Sequence, residues 1–176
     1  INSHCIPNPE AILVNKISIG TLLNTNTSHY QLMVNLKEKF LEWSPAVFIG
    51  YNSIKFDEEF LRYSFFKNLL DPYITIKNDN YRFDLLDSVR ATSFLHPENI
   101  KTLISEKGNP ILKLDKIAPL NGISNFQAHD ALGDTFASLE LAKIIKEKSP
   151  GIWKETICNK KKNYLLNYIK NKPFCF

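Results

Sequence analysis

Apolar residues recur at helical spacing over most of the chain. Between Ser28, which suits an N-cap, and Pro45, they fall three and four positions apart, and this spacing predicts a helix. The same pattern predicts helices over the ranges Asp57 to Phe66, Asp84 to Leu95, Leu112 to Ala118, His129 to Lys148 and Ile152 to Tyr168. We expect Pro119 to stop the helix that begins near Leu112, because proline lacks the backbone N–H that a helix interior needs.

Two of these helices carry apolar stripes that we expect to face the core. The stripe of the helix after Asp57 consists of Phe60, Leu61 and Phe65. The stripe of the long helix before Lys148 consists of Ala131, Phe136, Leu139, Ala142 and Ile145.

One segment has the character of a buried strand. Ala46 to Gly50 is short and apolar, which is typical of a parallel strand covered on both faces. Residues 1–27 lack a helical pattern, and we expect loops there. Six helices with one buried strand favour an α/β fold in which the first hairpin of the sheet is missing from the chain.

The composition adds limits to this picture. The 176 residues, 44% hydrophobic and 23% charged, suit one globular domain. No apolar run approaches the roughly 20 residues that span a bilayer, so we expect no membrane partner. Three scattered cysteines form no metal-binding or disulfide pattern, and the reducing cytoplasm is the expected location.

The net charge of +4 is concentrated towards the end of the chain. Nine lysines lie between Lys143 and Lys172, with few acidic residues among them. A solvated helix surface and a contact with nucleic-acid phosphates explain this run equally well.

Three residues stand where a metal-dependent hydrolase needs them. Asp57 follows the predicted strand, and His129 precedes Asp134 by five positions at the start of a helix. Carboxylates are the ligands that Mg²⁺ prefers, and a histidine can take a proton from water near neutral pH. Singly, Asp57 could be only an N-cap and His129 only a structural residue. Together they predict a phosphodiester-cleaving site that uses two Mg²⁺ ions.

Three stretches of the chain are similar to the DEDDh superfamily of 3′→5′ exonucleases. They run from Phe48 through Asp57 to Tyr73, from Asp79 through Asp87 to Arg90, and from Asn121 to Asp134. The middle stretch is the most specific, and it resembles the branch of bacterial exonuclease I, which degrades single-stranded DNA from the 3′ end. The resemblance implies a ribonuclease H-like fold, a mixed sheet flanked by helices.

Carried over position by position, the resemblance makes Asp57 and Asp134 metal ligands and His129 the general base. It implies Mg²⁺ as the cofactor, two ions in the complete site, with Mn²⁺ as a substitute. It also places Asn52 and Phe56 beside the terminal nucleotide, although Phe56 fits a core position equally well.

Four residues of the middle stretch have roles that the resemblance leaves open. Arg82 and Arg90 either contact phosphates or form surface ion pairs. Asp84 and Asp87 could form a second acidic site, but Asp84 fits the N-cap of the following helix better.

The chain departs from the family pattern at the first motif, an Asp-x-Glu on the first strand. The acidic residues ahead of Asp57 are Glu10, Glu38 and Glu42, and none of them forms this pair. We therefore expect residues 1–176 to be a single partial exonuclease domain, without the first strands and without the family's C-terminal barrel and helical domains. Two carboxylates in place of four should leave it inactive or nearly so.

The expected partner is single-stranded DNA, and we expect a monomer. Two other interpretations stay open. One is a non-catalytic module, derived from such a nuclease, that binds nucleic acid or protein. The other is an RNA-trimming or proofreading exonuclease of the same superfamily.

Overall fold

The computed structural model describes residues 8–15, 17–24, 27–124, 131–159 and 162–171. The chain divides into two units and passes twice through each of them. The first unit consists of Ile1–Ala46 and Glu58–Asn80, and the second consists of Val47–Asp57 and Tyr81–Phe176.

The first unit is built from helices. These are α1 (Pro9–Asn15), α2 (Ile19–Leu23), α3 (His29–Trp43) and all but the first residue of α4 (Asp57–Lys67). The predicted cap of α3 is confirmed, because the Ser28 hydroxyl accepts a hydrogen bond from the Gln31 amide at 3.1 Å. Met33, Phe65 and Ile74 form the buried core of this unit.

Two expectations for the first unit are wrong. Residues 9–15 and 19–23 are helical and not loops. Side chains cap both, with Asn8 Oδ1 accepting from the Glu10 amide and Ser18 Oγ from the Thr21 amide. Helices this short need no buried stripe, so periodicity does not detect them. In α4, the prediction that Phe60 faces the core is wrong, because its side chain is 71% exposed. Phe65 is fully buried, as predicted.

The last residue of the first unit, Asn80, is buried and holds three hydrogen bonds through its amide. Its oxygen accepts from the backbone N–H of Ala46 at 2.8 Å. Its nitrogen donates to Ser44 Oγ and to the Ile74 carbonyl, each at 2.8 Å. The amide therefore ties together the chain just ahead of residue 47 and the chain just ahead of residue 81.

The second unit begins with two parallel strands. Strand β1 (Val47–Gly50) pairs with β2 (Tyr81–Asp84), and the register runs from Val47 opposite Tyr81 to Gly50 opposite Asp84. The predicted strand is confirmed as β1, but the expectation that it is fully buried is wrong, since Ile49 is 44% exposed. The sequence did not predict β2, because its four residues, Tyr-Arg-Phe-Asp, are too few to show an alternation.

The described residues in the rest of the second unit form a small hairpin and five helices. The elements are α5 (Leu85–Leu95), β3 (Leu103–Ile104), β4 (Pro110–Ile111), α6 (Leu114–Leu120), α7 (Ala131–Lys148), α8 (Pro150–Asn159) and α9 (Lys162–Asn171). Strands β3 and β4 are antiparallel. The core consists of Phe83, Leu85, Val89, Ile100, Ile117, Leu141, Ala142 and Ile145.

Two predicted helix ranges in this unit need correction. Pro119 lies inside α6, which continues to Leu120. The range expected to form a single helix, Ile152 to Tyr168, is described as two helices, α8 and α9, and residues 160–161 between them lie outside the described residues.

The inner face of α7 is rotated from the predicted one. Phe136 and Leu139 are 54% and 49% exposed, and Ala131 is exposed as well. The buried residues are Gly133, Ala137, Leu141, Ala142 and Ile145. Only Ala142 and Ile145 were predicted. The helix turns small residues inward, which permits closer packing than Phe136 would allow.

Candidate functional site

The turn that follows β1 brings the first group of predicted residues to the site. Gly50 ends the strand, and a Cβ atom at this position would lie 2.4 Å from the Cβ of Ser53, so the turn fits only glycine without a shift. Asn52 then has a φ of 56°, in the left-handed region that few residues other than glycine adopt. Asparagine is among the residues that tolerate it best.

Asp84 holds this turn from the end of β2. Its carboxylate accepts hydrogen bonds from the backbone N–H groups of Asn52 at 2.6 Å and Ile54 at 3.3 Å. It also accepts from the Leu86 amide at 3.1 Å, as the N-cap of α5. The prediction that Asp84 is an N-cap is confirmed, and the two bonds to the turn are additional to it.

Tyr51 is half-buried in the same turn and connects it to the segment before α6. Its hydroxyl donates a hydrogen bond to the Leu112 carbonyl. Burial raises the pKa of the Tyr51 phenol far above its usual value near 10, and the negative charge of Asp84 adds to this effect. The phenol therefore stays protonated and remains a donor over the whole physiological pH range.

A cleft of about 770 Å³ opens in the second unit beside this turn. Its polar lining comes from Tyr51, Asn52, Arg90, Lys113, Asp115 and Asp134. Leucines 86, 112 and 114 and Pro110 supply the apolar part. The elements that contribute are the β1 turn, α5, the segment from β4 into α6, and the first turn of α7.

Three predicted site residues share this cleft, namely Asn52, Arg90 and Asp134. Asp134 is half-buried in the first turn of α7. Arg90 is exposed on α5 and forms an ion pair with Asp87, so the surface ion pair considered for it is present. Tyr51 and Lys113 were not predicted. Tyr51 adjoins the Asn52 motif in sequence, but its partner Leu112 lies too far along the chain to be found from spacing.

Three other predicted residues are not among those that line the cleft. Asp57 is exposed at the first position of α4. Arg82 is half-buried in β2, opposite Phe48. Phe56 is 69% exposed, so the interpretation of Phe56 as a core aromatic is wrong. The predicted general base, His129, lies outside the described residues.

The donor chemistry of the site suits a hard divalent ion only in part. Asp134 and Asp115, which line the cleft, offer carboxylate oxygens, the ligand type that Mg²⁺ prefers, and the predicted ligand Asp57 lies outside the lining. Among the described residues, however, no three histidine, cysteine, aspartate or glutamate side chains lie close enough together to hold a metal ion. Within the same ranges, no helix combines the length and the apolar character needed to cross a bilayer.

Comparison with known proteins gives consistent matches to one family. The family model described as "Exonuclease" matches residues 1–142. Exodeoxyribonuclease I of Haemophilus influenzae is 38% identical over 149 residues, which cover 84% of this chain and 31% of that protein. Exodeoxyribonuclease I of Buchnera aphidicola subsp. Schizaphis graminum is 37% identical over 170 residues, which cover 96% of this chain and 35% of that protein.

Solved structures agree with these matches. The crystal structure of E. coli Exonuclease I in complex with a dA16 oligonucleotide is 30% identical to this chain and superimposes with a TM-score of 0.83. The match covers 94% of this chain and 35% of that one. The chain thus spans about a third of the length of the relatives that it matches. On these grounds the chain belongs to the exonuclease family, and its fold is the mixed α/β, ribonuclease H-like fold of exonuclease I.

Proposed function

We propose that this chain is the nuclease part of an exonuclease that releases mononucleotides from the 3′ end of single-stranded DNA. The observation that carries the proposal is the cleft, which places Asn52, Arg90 and Asp134 around one cavity. The oligonucleotide bound to E. coli Exonuclease I supports single-stranded DNA as the substrate. We also propose that the protein acts as a monomer in the cytoplasm.

The lining of the cleft suits a nucleotide. Its volume falls within the roughly 300–1,000 Å³ that is usual for small-molecule sites. Arg90 and Lys113 provide positive charge for a phosphate, and Tyr51 with Leu112 provides apolar surface for a base or a sugar. Asn52 contributes an amide that can donate and accept hydrogen bonds at the nucleotide.

Two further substrate contacts are proposed from the resemblance alone. Phe56 is exposed, as a residue that stacks on a base must be. Arg82 would contact a phosphate together with Arg90. Neither Phe56 nor Arg82 lines the cleft, so each would act on the strand outside it.

We propose Asp57 and Asp134 as ligands of divalent ions, two Mg²⁺ in the complete site with Mn²⁺ as a substitute, and His129 as the base that takes a proton from the attacking water. A neutral imidazole accepts a proton near neutral pH. The described residues alone bring together fewer than three metal-binding side chains.

We expect residues 1–176 alone to have low activity. Its sequence supplies no Asp-x-Glu pair ahead of Asp57, and each missing carboxylate removes both a ligand and a charge from the metal site.

The first experiment tests cleavage directly. The folded chain is incubated with 5′-labelled single-stranded DNA and with RNA of matched sequence, in Mg²⁺, in Mn²⁺ and in EDTA. Asp134→Asn is the test variant. Glu140→Gln is the matched control, because it makes the same carboxylate-to-amide change on α7 and breaks only a surface ion pair with Lys143.

We expect a metal-dependent ladder that shortens from the 3′ end of the DNA, weak in the wild type and in Glu140→Gln. In Asp134→Asn the rate should fall by about 100-fold or more, since even supporting groups of metal sites contribute 10–100-fold. Stronger cleavage of RNA would favour an RNA-trimming enzyme. Binding of DNA without cleavage would favour a binding module. If the folded protein does not bind DNA and does not cleave it, the proposal is contradicted.

A further inference from the structure

We infer that Asp84 is a positioning residue for the nuclease site, because its carboxylate fixes the turn that carries Tyr51 and Asn52. The inference rests on the proposed function, since it concerns the same cleft. Asp84 itself does not line the cleft, so it acts on a substrate only through the residues that it holds.

The hydrogen bonds of Asp84 exceed what a helix cap requires. An N-cap side chain needs to accept from one amide in the first turn of its helix, and Asp84 Oδ1 does this with Leu86. The same oxygen also accepts from Asn52, and Oδ2 accepts from Ile54. Two of its three bonds therefore stabilise the turn after β1. This turn begins at Gly50, which lies 34 positions before Asp84 and pairs with it in the sheet.

A carboxylate is the side-chain group that matches this set of bonds. It accepts at both oxygens and donates at neither, whereas an asparagine side chain offers one accepting oxygen and one donating nitrogen. Asp84 is 8% exposed, so water does not readily replace a lost partner. The three N–H groups around it thus select aspartate at this position.

The turn needs this support because of its backbone conformation. Asn52 has a φ of 56°, and such conformations persist where the surroundings impose them. Two contacts impose it here, the Asp84 carboxylate on one side and the bond from the Tyr51 hydroxyl to Leu112 on the other. When the first contact is lost, Asn52 and Tyr51 should move away from the cleft that they line.

The test separates capping from positioning with two variants. Asp84→Ser keeps a good N-cap, but its shorter side chain has one oxygen and cannot also reach the turn. Asp84→Asn keeps the length and the cap, and it puts an amide nitrogen in place of one carboxylate oxygen. Asp79→Asn is the control, an exposed aspartate in the first unit.

Two measurements are made on each folded variant. Amide hydrogen exchange is followed by NMR at Asn52, Ile54, Leu86 and through α5. Affinity for thymidine 5′-monophosphate is measured by titration. The exchange pattern tests the positioning role by itself, whereas failure of the wild type to bind the nucleotide would contradict the proposed function of the cleft.

In Asp84→Ser we expect exchange at Asn52 and Ile54 to rise by about tenfold or more, and nucleotide affinity to fall by about tenfold, with α5 still protected. In Asp84→Asn the rise in amide exchange should be confined to Ile54, because the remaining side-chain oxygen can still accept hydrogen bonds from Asn52 and Leu86. Wild-type exchange at Asn52 and Ile54 in both variants would overturn the inference. So would a uniform rise through α5, which indicates only a lost cap.

Discussion

Tyr51 illustrates how a single side chain joins two parts of the cleft. Its ring packs against the core of the second unit, while its hydroxyl donates to the Leu112 carbonyl of the opposite segment. Because burial and the charge of Asp84 raise the pKa of the phenol, the folded protein keeps it neutral at pH values where a free tyrosine ionises. Folding is thereby linked to pH.

The sign of this linkage gives a prediction for Tyr51→Phe. A raised pKa in the folded state means that the stabilisation is fully present below about pH 10, the unfolded value, and is lost as the pH rises above it. Between pH 8 and pH 11 the wild type should therefore lose about 1 kcal/mol more free energy of unfolding than the variant. Urea unfolding at the two pH values measures this difference, and parallel losses in both proteins would contradict it.

The resemblance to the exonuclease family was enough to predict part of the site. Asn52, Arg90 and Asp134 came from motifs, and the structure places all three around one cleft. Whether they act on a substrate stays a prediction, as do the roles of Asp57 and Arg82. Tyr51 and Lys113 were missed because their place in the cleft depends on tertiary contacts, which leave no local pattern.

Among the elements, the connection from β1 to α4 is one that specific residues restrict tightly. The strand ends at Gly50, the turn is held by Asp84, and α4 begins at Asp57. The turn folds back so closely that Ser53 occupies the space where a side chain at position 50 would stand.

Gly50→Ala should therefore displace the turn. The added Cβ would lie 2.4 Å from Ser53 Cβ, and overpacking of this kind costs about 1–3 kcal/mol of stability. We expect a lower melting temperature and weaker binding of thymidine 5′-monophosphate. Gly151→Ala, at a helical position with open space around it, is the control and should be neutral or slightly stabilising.

A second substitution checks the cause of this effect. Ser53→Gly, introduced together with Gly50→Ala, removes the clashing atom and should recover a large part of the lost affinity. Equal affinity in Gly50→Ala and the wild type would show that the turn can shift without consequence for the cleft.

At the level of elements, hydrophobic periodicity predicted the helices correctly where a helix is long and has one apolar face. Helices α3, α4 and α5 lie where they were predicted. The predicted inner face of α7 is wrong because Phe136 and Leu139 are exposed, whereas small residues such as Gly133 and Ala137 pack inward beside Leu141. Strand β2 was missed because pairing with β1, which is distant in sequence, decides its conformation.

The whole molecule has an interleaved order that no local pattern could reveal. The chain enters the first unit, crosses to β1 and its turn, returns through α4, and then enters the second unit again at β2. The sequence predicted the fold class correctly, through a resemblance that spans most of the chain. It predicted one domain, which nothing in the described structure tests.

This interleaving bears on the order in which the chain folds. Ala46 and Asn80 immediately precede β1 and β2, and the bond between them joins residues 34 positions apart. Closing a loop of this length costs about 3 kcal/mol of chain entropy. We expect the first unit to form before the strands pair, so that it meets this cost and the pairing then needs little further loss of entropy.

Asn80→Ala should consequently slow folding more than it speeds unfolding. We expect a loss of about 1–3 kcal/mol in stability, with more than about half of it appearing in the folding rate. Stopped-flow folding and unfolding in urea measure both rates, with the exposed Asn35→Ala as the control. A change confined to the unfolding rate would exclude early closure. If the first unit closes this loop early, the turn after β1 becomes ordered late. Partly folded chains would then contain an intact first unit but no cleft.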